Sequence, residues 1–344
     1  MNEATDKQAV MRQGLGGRTC WIITDGKAGM VVQARGVADA LGLDYELKTV
    51  QPKGIRRLLA PWGPIGADEK FGQAGSDFTP PWPDVAIATG RASIPYIRAL
   101  RRRAGKSCFT VVLQDPKTGA DTADLIWVPQ HDKLRGTNVM TTLTSPHSFS
   151  GSRLEALRGS VPVDVAEIPK PRVAVILGGK NTAYKFRESD DSRLEQSLAS
   201  IGRLGASFMI TTSRRTHQRL LQAVERATAF SPRILWAGAG ENPYPNYLAH
   251  ADWLVVTADS VNMTGEACAT GRPVYVFTPS GGTAKFARFH AALRNHGATR
   301  ALPDEVTALE TWSYEPLDSA RLIAEKIELN WRQRFEDPVA APDD

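Results

Sequence analysis

The stretch CWIITDGKAGMVVQARGVADALG, residues 20–42, contains a complete strand–turn–helix unit. Cys20 to Thr24 is a short apolar run and Asp25-Gly26-Lys27-Ala28-Gly29 is a turn. Ala34, Val37, Ala38 and Leu41 then recur at helical spacing on one face before Gly42 stops the helix. Tyr45, Leu47 and Thr49 alternate with polar neighbours, as a following strand should. The scheme returns along the chain. VAIAT (85–89) runs through Gly90-Arg91-Ala92-Ser93 into a basic helix ending near Gly105, and FTVVLQ (109–114) and DLIWVP (124–129) supply further strands. Pro52 to Pro83, rich in Pro, Gly and Trp, reads as a loop or short irregular helices.

Apolar periodicity fades between Ser145 and Pro171, where proline and glycine accumulate, and restarts at RVAVIL (172–177). The strand RVAVIL precedes GGKNT and a helix with Leu194, Leu198 and Ile201; SFMITT precedes SRRTH and a helix with Leu220, Leu221 and Val224. RILWAG, DWLVVTADS and PVYVFT complete the second half. Each half is expected to be a doubly wound α/β domain on a parallel sheet. The expected division is a flexible extension at 1–18, an N-terminal domain at 19–165 and a C-terminal domain at 166–317. Residues 318–344 are read as a helix and tail, with Leu322, Ile323, Ile327 and Trp331 on one helical face packing back on the first domain.

At ~150 residues per domain, 344 residues also favour two domains. Hydrophobic residues at 42% and charged residues at 23% exclude a disordered, collagenous or coiled-coil chain. The charge of +5 permits anionic partners, but no nucleic-acid motif accompanies it, so no nucleic-acid partner is expected. No apolar run approaches the ~18 residues that span a bilayer. Met1 to Arg18 lacks an apolar core of the signal-peptide kind. Cys20, Cys108 and Cys268 are far apart and without CxxC spacing, which indicates neither a disulfide framework nor a zinc site. A cytoplasmic protein is expected.

In parallel sheets, ligands bind at the carboxyl ends of strands, beside helix N-termini. Gly178-Gly179-Lys180-Asn181-Thr182 follows a strand, and its glycines either let the backbone approach a phosphate or sugar, or serve a tight turn at positive φ. Thr212, Ser213, Arg214 and Arg215 bring hydroxyl and guanidinium groups to another strand end. That set suits a diphosphate; the plainer alternative is a capped helix with solvated arginines. After the strand ending at Thr257, a helix begins near Ser260, Asn262 and Met263, where its N–H groups suit a pyrophosphate. Glu266 lies on the early turns of that helix, where one carboxylate can accept both hydroxyls of a ribose.

EACATGRPV (266–274) resembles the donor-site motif Glu-Ala-x-Ala-x-Gly-x-Pro-Val of GT-B-fold glycosyltransferases. More closely, VTADSVNMTGEACATGRPVYVF, TTSRRT and TDGKAG followed by Gln33 resemble the elongated-mitochondria (ELM) mitochondrial-fission family, whose members are mostly bacterial. The resemblance spans about Trp21 to Pro279. It implies two facing Rossmann-type domains in a GT-B-like architecture, with Glu266 on the ribose of a nucleotide-diphosphate sugar. Many retaining enzymes of that fold carry a further Glu eight residues before the ribose Glu. Ala258 holds that place here, which points to inversion. By analogy with the peptidoglycan N-acetylglucosaminyltransferase type, no metal and no cofactor are expected. Asp190-Asp191 reads as a helix cap and not as a metal motif.

The same architecture would place Asp25 as the general base for an acceptor hydroxyl, against the alternative of a helix cap or Asx turn. Asp115, His131 with Asp132, and His147 are further candidates. Arg56, Arg57, Leu58 and Trp62, with the basic run Arg98 to Lys106, form a patch that suits an anionic inner membrane face, or else a solvated basic face. A lipid-linked acceptor such as an envelope glycolipid would fit that position. GxGxxG, Tyr-x-x-x-Lys in helical context and GxxxxGK[ST] are absent, which argues against dinucleotide enzymes and P-loop NTPases. The alternative from another class is a non-catalytic adaptor on the same scaffold, recruiting partners to a membrane.

Overall fold

The computed structural model describes residues 15–336. It comprises two compact units, one running to Ser148 and resumed from Asp318, the other Phe149–Leu317. Most of the expected extension and the tail after Glu336 lie outside the described residues.

The first unit is built on β1 (Thr19–Thr24), β2 (Asp44–Thr49), β3 (Val85–Thr89), β4 (Phe109–Leu113), β5 (Leu125–Pro129) and β6 (Val139–Thr142). These form one parallel sheet in the order β2-β1-β3-β4-β5-β6. Its central strands are buried along their whole length, which is why they read as unbroken apolar runs. Helix α1 (Ala28–Leu41) presents Ala34, Val37, Ala38 and Leu41 to one face of the sheet, and Gly42 ends it in the left-handed conformation. Gly36 on α1 allows close contact, because a Cβ there would lie 2.5 Å from the His147 carbonyl oxygen. The C-terminal helix, Ser319–Phe335, packs beside α1 through Ile323, Ile327 and Trp331. Leu322, expected on that face, is 43% exposed, since the buried stripe runs through Ala320, Ile323, Ala324 and Ile327.

Helix α2 (Ile55–Leu59) belongs to the irregular segment before β3, and helix α3 (Ile94–Ala104) covers the other sheet face with Ile94, Ile97 and Leu100. Part of that irregular segment completes the cover as an aromatic cluster of Phe71, Phe78 and Trp82 around Trp21. One departure concerns β2. Its alternation is present, but Leu47 is 37% exposed while Lys48 is buried, with its ammonium 4.5 Å from the Trp21 ring centroid and 2.6 Å from Glu46. An edge strand facing an aromatic cluster can bury a lysine stem and retain the charge over a ring face.

The second unit opens with α4 (Gly151–Arg158) and α5 (Val163–Glu167), so residues 149–165 pack here and not with the first sheet. Then follow β7 (Arg172–Ile176), α6 (Glu188–Arg203), β8 (Ser207–Thr211), α7 (Gln218–Ala227), β9 (Arg233–Trp236) and α8 (Tyr244–His250). The unit closes with β10 (Trp253–Thr257), α9 (Val261–Cys268), β11 (Val274–Phe277), α10 (Ala284–Asn295) and β12 (Thr299–Ala301). The sheet is parallel, in the order β12-β11-β10-β7-β8-β9. Counted from β7, that is the dinucleotide-fold order with its reversal between β7 and β10. At the start of α6, Asp190 accepts from the Arg187 N–H at 2.8 Å, the capping role read from sequence, while Asp191 receives Arg219 and His217. Among the described residues no helix is long and apolar enough to cross a membrane.

Candidate functional site

Where strand order reverses, neighbouring connections leave in opposite directions and open a crevice at the carboxyl ends. In the second unit the reversal falls between β7 and β10, and the residue that ties the loops at their carboxyl ends together is Asp259, the second residue after β10. Its carboxylate is buried and accepts from Thr257 Oγ1 at 2.7 Å, the Gly179 N–H at 3.1 Å and the Arg215 guanidinium at 2.6 Å. Burial pushes this carboxyl above the ordinary carboxylate range, while the Thr257, Gly179 and Arg215 contacts pull the other way.

Gly178 and Gly179 are required here for space. Neither has a positive φ, contrary to the turn alternative. A Cβ on Gly178 would overlap the Asp259 carboxylate, and one on Gly179 would overlap the Arg215 carbonyl. The Thr216 hydroxyl accepts from the Ser213 N–H at 2.9 Å and donates to the Gly178 carbonyl at 2.7 Å, fastening the loop after β8 to the loop after β7. Within that loop Thr212 and Ser213 are half-buried and Arg214 and Arg215 are exposed, Arg215 with its guanidinium paired to the buried Asp259. Asn181 is spent on its own loop. Its amide donates to the Asp259 carbonyl, and its oxygen accepts from the Ala183 and Tyr184 N–H groups, each at 2.8 Å. A second glycine turn, Gly281-Gly282, packs against this loop through a bridge between Tyr184 and Gly281.

Helix α9 starts at the same carboxyl end of β10. Ser260 is its cap and accepts from the Met263 N–H at 3.3 Å, so that N–H, expected to face a pyrophosphate, is already occupied. Asn262 lies on the first turn. Glu266 is buried, and its Oε2 accepts from the Tyr244 hydroxyl at 2.5 Å. Tyr244 stands edge-on to Phe149, whose ring carries Arg153 at 5.1 Å. Burial pushes the Glu266 carboxyl up to about 7, against the lowering effects of Tyr244 and Arg153. A carboxyl so placed changes its charge near neutrality.

In the first unit the strand order turns between β1 and β3. Asp25 follows β1, and Gly90 follows β3 at φ 89°, where a Cβ would lie 2.9 Å from the Asp25 carboxyl carbon. Asp25 pairs with Lys27 at 2.6 Å and lines a cavity of about 660 Å³ with Lys53, Arg57 and Arg91. Arg91 donates to the carbonyls of Ala60 and Leu58 and so ties α2 to this cavity. Arg56 is paired with Asp68 at 2.6 Å, while Leu58 and Trp62 are 74% and 62% exposed. The remaining candidates lie apart from the cavity wall. Asp115 pairs with Lys117 at 2.5 Å, and that contact holds its carboxyl below the usual range although burial opposes it. His131 and Asp132 occupy the turn after β5, and His147 is buried under α1.

Asp259, Tyr244, Thr216 and Arg91 escaped sequence reasoning as organisers. For Asp259 a signal existed, an acidic residue two positions beyond a buried strand that ends in Thr257. Tyr244 carries none, because its role depends on the first turn of α8 bringing its hydroxyl to Glu266 on α9. Among the described residues no cluster of three or more His, Cys, Asp or Glu side chains is arranged to hold a metal ion.

A family model described as Mitochondrial fission ELM1 matches residues 28–331. Mitochondrial fission protein ELM1 of Arabidopsis thaliana is 29% identical over 269 residues, covering 71% of this chain and 63% of the plant protein, less than two thirds of its length. Uncharacterized protein RP120 of Rickettsia prowazekii (strain Madrid E) is 27% identical over 346 residues, covering 89% of this chain and 97% of that one. Among solved structures, the Methanocaldococcus jannaschii UDP-GlcNAc 2-epimerase in complex with UDP-GlcNAc and UDP has a TM-score of 0.50 at 12% identity, covering 90% of this chain and 98% of its own. A further UDP-N-acetylglucosamine 2-epimerase structure reaches 0.52 at 11% identity, covering 95% and 98%. At such identity the likeness concerns the fold, which is of the GT-B type shared by glycosyltransferases and such epimerases.

Proposed function

Since this chain belongs to the mitochondrial fission ELM1 family, we propose that it is a metal-independent, inverting glycosyltransferase using a nucleotide-diphosphate sugar. The observation that carries this reading is the reversal of strand order between β7 and β10, whose carboxyl ends carry the close-packed Gly178-Gly179 backbone and the start of α9, with a buried carboxyl on that helix. The ribose hydroxyls would replace the Tyr244 hydroxyl on Glu266. The diphosphate would lie against the start of α9 and the exposed Arg214, with Arg215 held ready by Asp259. In the first unit, Asp25 would take the proton of an acceptor hydroxyl. The acceptor oxygen then bonds to the anomeric carbon as the bond to the diphosphate breaks, releasing the nucleoside diphosphate. A lipid-linked acceptor at the inner membrane face fits the exposed Leu58 and Trp62.

Calorimetry with nucleoside diphosphates and their sugars, in the presence of a chelator, tests the donor site. Binding that is lost in Glu266→Ala is expected; no binding, or binding unchanged by that substitution, removes the assignment. Turnover unaffected by Asp25→Asn would transfer the base elsewhere. The adaptor alternative draws on the internal commitments of Asn181, Arg215 and the Met263 N–H. It predicts that nucleotides do not bind at all.

A further inference from the structure

The cavity beside Asp25 carries a charge imbalance that accepting a sugar does not require. Its wall holds Lys27, Lys53, Arg57 and Arg91 against the single carboxylate of Asp25. Lys27 is neutralised by that carboxylate at 2.6 Å. Arg91 spends its hydrogen bonds on the neutral carbonyls of Ala60 and Leu58, so its charge stays uncompensated. Lys53 and Arg57 have no carboxylate partner among the described residues. At about 660 Å³ the cavity has the size of a small-molecule site.

The helix that forms one wall has two unlike faces. Lys53, Arg57 and Ala60 line the cavity. Ile55, Leu58 and Leu59 follow i, i+3, i+4 spacing on α2, which normally marks the face a helix turns to a core, and Trp62 stands in the turn just beyond the helix end. Here all four are open to solvent, with exposures of 70%, 74%, 47% and 62%. The orientation is fastened from inside. Arg91 grips two carbonyls of the turn and lies 5.7 Å from the Trp62 ring centroid, and the Trp62 indole N–H donates to the Lys117 carbonyl at 3.1 Å. A bare apolar stripe immediately outside a cation-lined cavity matches a molecule with an anionic head and an apolar tail.

We propose that this cavity binds the phosphate-bearing head group of a membrane lipid, a monoester or diphosphate, while Ile55, Leu58, Leu59 and Trp62 enter the acyl layer. Calling that lipid the acceptor rests on the glycosyltransferase reading; its binding does not, and the test uses no nucleotide.

The full chain is floated with vesicles of phosphatidylcholine alone, with added phosphatidic acid, or with phosphatidylglycerol at matched surface charge, with and without inorganic pyrophosphate at constant ionic strength. Flotation is expected with phosphatidic acid, weaker with phosphatidylglycerol, and displaced by pyrophosphate. Lys53→Gln/Arg57→Gln should weaken it about 30-fold, taking roughly fivefold per cation. Ile55→Ser/Leu58→Ser, which leaves the Trp62 contacts in place, should weaken it at least about tenfold while leaving calorimetric pyrophosphate binding intact. Both pairs are exposed or line the cavity, and retained Cys20, Cys108 and Cys268 protection checks that the fold is kept. Equal flotation on the two anionic lipids with no effect of pyrophosphate would mean general surface charge and overturn the cavity assignment. Pyrophosphate binding without flotation would overturn the lipid. Failure here beside intact nucleotide binding leaves the donor site standing, and the reverse result removes the donor site alone.

Discussion

Replacing Glu266 with Gln converts a buried carboxyl of α9 into an amide of nearly the same shape that cannot titrate. In the folded chain, burial pushes Glu266 up to about 7 from 4.5, against Tyr244 and Arg153. The sign depends on which state holds the proton. Between those two values the unfolded chain is ionised while the folded chain keeps its proton, so stability falls as pH rises. Below 4.5 both states are protonated and there is no penalty; above 7 both are ionised and the penalty is complete. The rise from 4.5 to about 7 amounts to about 3 kcal/mol, most of which develops between pH 5 and 8. In Glu266→Gln the amide oxygen would still accept the Tyr244 hydroxyl, so the variant should lack this dependence. Cys268, two residues further along α9, is fully buried, whereas the other two thiols belong to the first unit. Labelling of Cys268 by a thiol reagent, resolved by peptide mass spectrometry, therefore reads opening of α9, and the thiol's own titration cancels between wild type and variant. The wild-type-to-variant rate ratio should rise about 70-fold from pH 5 to pH 8. A ratio that stays flat, or falls, would refute the assignment of a buried, protonated Glu266.

The same titration links to nucleotide binding: if ribose hydroxyls need the carboxylate, affinity should rise about tenfold from pH 6 to pH 8 and be level in Glu266→Gln, as read by calorimetry. Asp259→Ala strands the buried Gly179 N–H and Thr257 hydroxyl and should cost about 2–4 kcal/mol by the Cys268 assay, with Arg215, 44% exposed, recovering water. Gly179→Ala drives a Cβ into the Arg215 backbone and should cost about 2–3 kcal/mol, whereas Gly205→Ala, with open space around it, should be limited to the strain of its positive φ. Lys48→Met should leave thermal stability within about 1 kcal/mol, because methionine keeps the buried stem against Trp21 and leaves Glu46, 65% exposed, to water, while Lys48→Ala should cost about 2 kcal/mol in packing and ring contact.

Much of the scaffold was legible residue by residue. The helix ending at Gly42 and the apolar runs of β3, β4, β7, β8, β10 and β11 follow from period and composition, because strands covered on both faces admit little besides apolar residues. The short edge strand Thr299–Ala301 and the helices within 149–167 carry too few periodic residues to announce themselves. At the candidate site, sequence reasoning located the loops after β7 and β8 and the start of α9. It did not foresee how their side chains are spent.

Sequence alone determined that this chain forms parallel α/β units and which loops stand at strand ends, since both depend on local periodicity and on motif order. Tertiary structure alone decided that Gly178 and Gly179 are small for the sake of Asp259 and Arg215, that Arg215 is paired with the buried Asp259 while Arg214 is left to solvent, and that Glu266 is buried against the Tyr244 hydroxyl with its carboxyl pushed up. It also left Ile55, Leu58 and Leu59 of α2 exposed and set Lys53 and Arg57 in the cavity wall beside Asp25. Each of these depends on what a side chain meets from a distant part of the chain, and burial, charge and space at such a meeting are properties of the packed structure.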